Sequence, residues 1–338
     1  MKIRTILPVL LLSVSCMRLT SDSDVMTEVV FSVREDTKAT SGISETAINH
    51  WAVMLFDTDN PAAWYYAVSD SGADITCTAR KDRSYRAYAI VNYPEDGQGA
   101  FDPAVIESED HLKGFSSFLG GNSLSSLAMF GIIGLEELPA GRTAIQISRL
   151  CSRVSIQKIT LDVTDPVYAG KEFTLKALYL TNVYCTGTLF GDHPAPLDDD
   201  GLWYNAMGWH GSGSIETTDA LVGDRGLAVN ISNGASYTTT HCFYAYPNAT
   251  GTSSDSHSET WKPRCTRLVI EATMGSKRYY YPITIPGMQR NHSYNITEAV
   301  IHGPGSLDPE QEIPGVLDVT LSITTNTWDS EYYISENS

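Results

Sequence analysis

Apolar and polar residues alternate with a period of two along most of this chain, which limits it to strands that bury one face. From Thr27 to Arg34, Val29, Phe31 and Val33 fall on one face, with Glu28, Ser32 and Arg34 on the other. Glu172 to Cys185 sets Phe173, Leu175, Ala177, Tyr179, Val183 and Cys185 against Thr174, Lys176 and Asn182. Arg267 to Met274 places Leu268, Ile270, Ala272 and Met274 together, and Gly275-Ser276 predicts a two-residue hairpin turn into Lys277–Ile285. Near the end, Leu317, Val319, Leu321 and Ile323 alternate with Asp318, Thr320, Ser322 and Thr324. Helix signals are few. Asp102-Pro103 is an N-cap and N1 pair that predicts about three turns through His111.

The 338 residues favour two domains. The run from Thr143 to Val163 shifts its apolar phase between Ile147 and Leu150, and again between Ile156 and Ile159. A flat strand cannot switch faces, so bulges or a domain crossing are expected there. The expected architecture is all-β: two tandem antiparallel β-sandwich (transthyretin-like) domains, residues 27–150 and 151–338, with few short helices. The segments from Gly187 to Gly226 and from Asn248 to Ser258 read as loops.

The N-terminus reads as an export signal. Lys2 and Arg4 precede an apolar stretch from Ile6 to Val14, too short to cross about 30 Å of hydrocarbon. Leu12-Ser13-Val14-Ser15-Cys16 then resembles a lipobox, with Ser13 where Leu is usual. This reading makes residues 1–15 a signal peptide, Cys16 the lipidation site and residues 16–26 a lipid-tethered segment. The alternative is a plain secretory leader ending near Ser15. Five other cysteines remain: Cys77, Cys151, Cys185, Cys242 and Cys265. Their odd number leaves at least one unpaired; buried thiols and one or two disulfides are both open readings. The net charge of −17 disfavours nucleic acid as a partner.

The motif signatures of acyl, phosphoryl, zinc-protease and dinucleotide chemistry are absent from the sequence. The eight histidines are scattered singly. Asp198, Asp199 and Asp200 could hold Ca²⁺, but a solvated acidic turn closed by Gly201 is the simpler reading. Trp203, Tyr204 and Trp209 in the same region are a candidate glycan platform, or aromatics that pin their own loop. No cofactor and no catalytic role are expected.

Several segments, in order, resemble the fimbrillin superfamily, the subunits of Bacteroidales type V pili. They are the lipobox, Val29-Val30-Phe31-Ser32-Val33 followed by Asp36-Thr37-Lys38-Ala39-Thr40, Tyr85 to Asn92, Ala128-Met129-Phe130-Gly131, Arg149 to Val154, and Arg290 to Ile296 followed by Gly303-Pro304-Gly305-Ser306. The resemblance implies a lipidated precursor at the outer membrane, cut by a trypsin-like protease beyond its first strand. A strand from another subunit then fills the vacated groove. On that mapping the displaced strand is Thr27–Val33, with Val29, Phe31 and Val33 as its plugs. The cut would follow Arg34 or Lys38, since Arg18 lies too near the lipid to free a strand. Leu317, Val319, Leu321 and Ile323 are donor-strand candidates, with an ordinary core strand as the alternative. The implied partners are other fimbrial subunits in a homo- or hetero-polymer, the outer membrane through the lipid, and a host or bacterial surface receptor.

Two readings compete with a cell-surface fimbrial subunit. One is a surface lipoprotein that binds glycans through Trp203, Tyr204 and Trp209. The other is a hydrolase using Asp198 and Asp200, which needs two carboxylates facing each other about 5–10 Å apart.

Overall fold

The computed structural model describes residues 25–35, 45, 47–95, 100–190, 203–205, 208–210, 219–250, 264–285 and 287–325, with backbone alone at 35, 205, 208–210, 219, 220 and 325. The first set of strands is β1 (Met26–Glu35), β2 (Trp51–Asp57), β3 (Trp64–Ser69), β4 (Ile75–Arg80), β5 (Tyr85–Val91), β6 (Ser116–Phe118), β7 (Met129–Leu135) and β8 (Arg142–Arg149). Except for β6, they form one sheet in the order β3-β2-β5-β7-β8-β1-β4. Strands β7 and β8 pair only at Met129–Arg149 and Phe130–Ser148. Beyond that seam β8 leaves for β1. Gly131 stands at the parting point, where an added Cβ would lie 2.1 Å from the Gln146 carbonyl oxygen. Val29, Phe31, Ile75 and Ile145 from one part of the sheet share a core with Trp51, Val53, Leu55 and Ala87 from the other. The sheet therefore closes on itself as a sandwich.

The second set continues with β9 (Ser152–Ile156), β10 (Ile159–Leu161), β11 (Phe173–Thr181), β12 (Val183–Tyr184), β13 (Thr186–Thr188), β14 (Trp203–Asn205) and β15 (Gly208–His210). It ends with β16 (Gly223–Asp224), β17 (Val229–Ile231), β18 (Ser236–Tyr237), β19 (His241–Ala245), β20 (Arg267–Met274), β21 (Lys277–Thr284), β22 (His292–Ile301) and β23 (Leu317–Thr325). One sheet runs β18-β10-β22-β9-β19, with β23 on the other flank of β22. Its companion runs β16-β11-β20-β21. The chain crosses from β8 to β9 at Leu150-Cys151, and β9 breaks before β10 at residues 157–158. These are the two places where the apolar phase shifts. The turn at Gly275 has φ +64° and joins β20 to β21 in register, Met274 opposite Lys277.

Three features differ from what periodicity suggests. β1 with β8, and β9 and β10 with β22, pair in parallel, because alternation shows which face is buried but not which neighbour is chosen. The Glu172–Cys185 run is interrupted at Asn182, whose φ is +56°. The expected three-turn helix is instead two pieces. Asp102 caps a single 3₁₀ turn, Pro103–Val105, and Ile106 is extended. Ser108 then caps a separate helix, α1 (Glu109–Lys113), by accepting from the His111 N–H. The earlier cap serves only its own turn.

Candidate functional site

β1 is the strand on which the site expectation rests, and its position follows from its side chains. It lies between β4, antiparallel, and β8, parallel. Val29 stands opposite Cys77 on β4, and Phe31 opposite Ile75 on β4 and Thr143 on β8. Val29 and Phe31 are 1% and 0% exposed, among the most deeply buried positions in the molecule. Val33, opposite Ile145, is half-buried at the margin of the same core. The first strand is thus an interior strand of its sheet, though it lies close to the start of the chain. Were it removed, an apolar slot would open between β4 and β8, with unpaired backbone groups on both walls.

Of the two candidate cut positions, Arg34 sits inside the ladder. It pairs with Gln146, and Glu35 after it pairs with Ile147. Its side chain is exposed, but a protease must first unzip the strand to reach its peptide bond. Lys38 lies outside the described residues, as do Cys16 and Asp198 to Asp200.

The chain re-enters the described structure at Glu45. Although it belongs to the connection between β1 and β2, its carboxylate reaches the second set of strands and is 2% exposed. Arg153 of β9 donates from Nη1 to Oε2 at 3.2 Å, and the Tyr244 hydroxyl of β19 donates to Oε1. Arg149 at the end of β8 donates to the Glu45 backbone carbonyl at 3.0 Å. Burial, and then the neighbouring Glu45 carboxylate, push the Tyr244 phenol pKa far up. The group is therefore a neutral donor to a carboxylate. No sequence signal identified Glu45, because its partners lie 108 and 199 residues away.

β23 is placed differently from β1. It pairs antiparallel with β22, and among the described residues no strand lies on its other side. Leu317 and Leu321 are half-buried, whereas Val319 and Ile323 are 37% and 49% exposed. Leu317, Val319 and Leu321 line the open mouth between the two sheets, a groove of about 500 Å³ shared with Tyr281, Ile283 and Ile313.

The glycan-platform reading loses its first two members. Trp203 is fully buried and Tyr204 is 8% exposed. Trp203 packs against Tyr184, and Tyr204 belongs to the large core. Neither offers a ring face to solvent, since β14 is tucked against β12. Only the backbone of Trp209 is described, pairing with Tyr204. All five described cysteines are free thiols, four of them buried. Burial pushes Cys77 and Cys151 up to about 12.

No family model matches this chain, and no curated protein matches it in sequence. Solved structures do. The fimbrilin of Porphyromonas gingivalis superposes with a TM-score of 0.58 at 13% identity, covering 88% of this chain and 97% of that one. The fold is that of the fimbrillins. A Bacteroides eggerthii structure assigned to cell adhesion gives a TM-score of 0.61 at 18% identity, covering 90% of this chain and 98% of that one. The tip fimbrial protein Mfa3 of Porphyromonas gingivalis gives 0.52 at 13% identity, with coverages of 89% and 99%. The fimbrillin fold thus extends through both sets of strands.

Proposed function

We propose that this chain is a structural subunit of a cell-surface fimbrium, made as a lipoprotein precursor and assembled by strand exchange in the service of adhesion. In this reading Cys16 carries the lipid that holds the precursor on the outer membrane, and residues 27–150 and 151–338 are its two domains. The partners are further fimbrial subunits, in a homo- or hetero-polymer, and a receptor on a host or bacterial surface.

One contrast carries the reading: β1 is fully seated and β23 is not. Burying Val29 and Phe31 contributes roughly 1.5–3 kcal/mol each, and loss of β1 forfeits that. The four alternating apolar residues of β23 are left half-buried or exposed in their own subunit. Moving them into a slot whose two inner positions, those of Val29 and Phe31, are 1% and 0% exposed would bury additional apolar surface. Backbone pairing with β4 and β8 would supply affinity, and the spacing of the plugs would set register. The neighbours that share the fold include a fimbrilin and a tip fimbrial protein, which supports this use of it.

Of the two candidate positions we favour a cut after Lys38, a reading supported by the pairing of Arg34 with Gln146 in the ladder. N-terminal sequencing of protein recovered from the cell surface should then read from Ala39. Protein cut there should run as ladders in SDS without heating, while uncut precursor runs as a monomer. Ladders from uncut precursor would contradict gating by β1.

A further inference from the structure

Among the described residues β23 has one unpaired edge, and its shape and charge suit one occupant, a second copy of itself. The strand presents nine residues, Leu317–Thr325, with no proline. The facing edge strand β21 carries Pro282, which has no N–H to give a new neighbour. Leu317, Val319 and Leu321 are the apolar wall of an open groove, Ile323 follows them on the same face at 49% exposed, and Ile313 at the groove mouth is 40% exposed. The edge is also held in place. In the loop that leads into β23, Glu310 accepts from Arg267 Nη1 at 2.7 Å and from Asn182 Nδ2 at 2.8 Å.

Charge narrows the partner further. A chain with a net charge of −17 repels its own kind over most of its surface. Leu317–Thr325 contains one charged residue, Asp318, and it faces His302 Nε2 at 3.0 Å. The strand is self-complementary as well. Turned about a two-fold axis at Thr320, Leu317 meets Ile323 and Val319 meets Leu321. Thr320 meets itself, and Asp318 meets Ser322. Every apolar residue gains an apolar partner, and no two like charges stand opposite each other.

We propose that two copies of this chain pair antiparallel, edge to edge, through β23 in this register. The dimer extends the sheet across two subunits and covers the groove mouth. It does not depend on strand exchange, although it would keep β23 occupied until a slot elsewhere opened.

Sedimentation velocity on the full chain, over a wide concentration series, tests the association. The expected result is a monomer–dimer equilibrium that Val319→Lys shifts to monomer, with an unchanged far-ultraviolet spectrum and, at dilutions where both chains are monomeric, an unchanged melting temperature. Register is tested by cysteine placement under mild oxidation, against the unsubstituted chain as background. Thr320→Cys should cross-link two copies, because directly opposed residues lie within disulfide reach. Thr324→Cys, which falls opposite Val316 rather than another Thr324 in this register, should not. A monomer at every concentration overturns the proposal. So does a dimer indifferent to Val319→Lys, or cross-linking by Thr324→Cys as efficient as by Thr320→Cys. These outcomes use uncut native protein, so they are read separately from ladder formation.

Discussion

Two adjacent plugs on β1 are placed to behave unequally. Phe31 is fully buried and Val33 sits at the margin of the core. Truncation of a buried Phe removes transfer energy and leaves a cavity, so Phe31→Ala should cost about 3–5 kcal/mol in urea unfolding. Val33→Ala should cost about 1 kcal/mol or less, in line with its partial burial. Equal losses would mean that β1 is not seated as described. His302 provides a pH-dependent contact on β23. Burial pulls its imidazole down, but the Asp162 carbonyl, the Asp318 carboxylate and the Asp162 carboxylate outweigh that and hold its pKa above the ordinary value. When protonated, it donates from Nε2 to Asp318 and from Nδ1 to the Asp162 carbonyl. A raised folded-state pKa means this contribution is fully present below about pH 6.5, the unfolded-state value, and fades as pH climbs through the folded-state value. Asp318→Asn should lower the His302 titration midpoint followed by NMR; an unmoved midpoint would remove Asp318 from the contact.

At the scale of strands, the sequence carried the alternation and therefore the faces. Thr27–Arg34, Arg267–Met274 with its Gly275 turn, and Leu317–Thr324 all emerge as strands, because one side of each must leave water. Their depth was not legible. The rows Val29–Phe31–Val33 and Leu317–Val319–Leu321–Ile323 look alike on paper, yet the first plugs a core while the second rims a groove with its first three members and leaves Ile323 exposed. Depth is set by what lies across the sandwich, which a local pattern does not contain. Nor could alternation reveal that β1 pairs in parallel with β8, 112 residues away along the register from Val30 to Arg142. The position of Cys77 turns that seating into a measurement. Its thiol is 2% exposed, stands opposite Val29, and is pushed up to about 12 by burial. Both the covering strand and the scarcity of thiolate should keep it inert to maleimide in the uncut chain. Once β1 is cut and leaves, mass spectrometry should find Cys77 labelled, and a donor strand filling the slot should protect it again. Labelling at the same rate before and after the cut would show that the slot stays closed.

Over the whole molecule, the two sets of strands are not strung beads. One apolar cluster runs from Met54, Tyr88 and Phe130 on β2, β5 and β7 to Tyr244, Ile270 and Ile296 on β19, β20 and β22. β6 pairs with β13 across the two sets, Phe118 opposite Thr186. Glu45 adds a polar staple between them, since Arg153 and Tyr244 both belong to the second set. The staple lies downstream of both candidate cut positions, so loss of β1 leaves it in place and the remaining walls of the slot stay fixed to the second set. Breaking a buried ion pair from one side strands the other charge, which costs about 3–5 kcal/mol, whereas replacing both partners by apolar groups is often close to neutral. Glu45→Ala should therefore lower stability by about that amount in urea unfolding, and Glu45→Leu combined with Arg153→Met should recover much of it. If Glu45→Ala costs no more than an exposed surface pair, roughly 0–1 kcal/mol, the two sets are held by their apolar cluster alone.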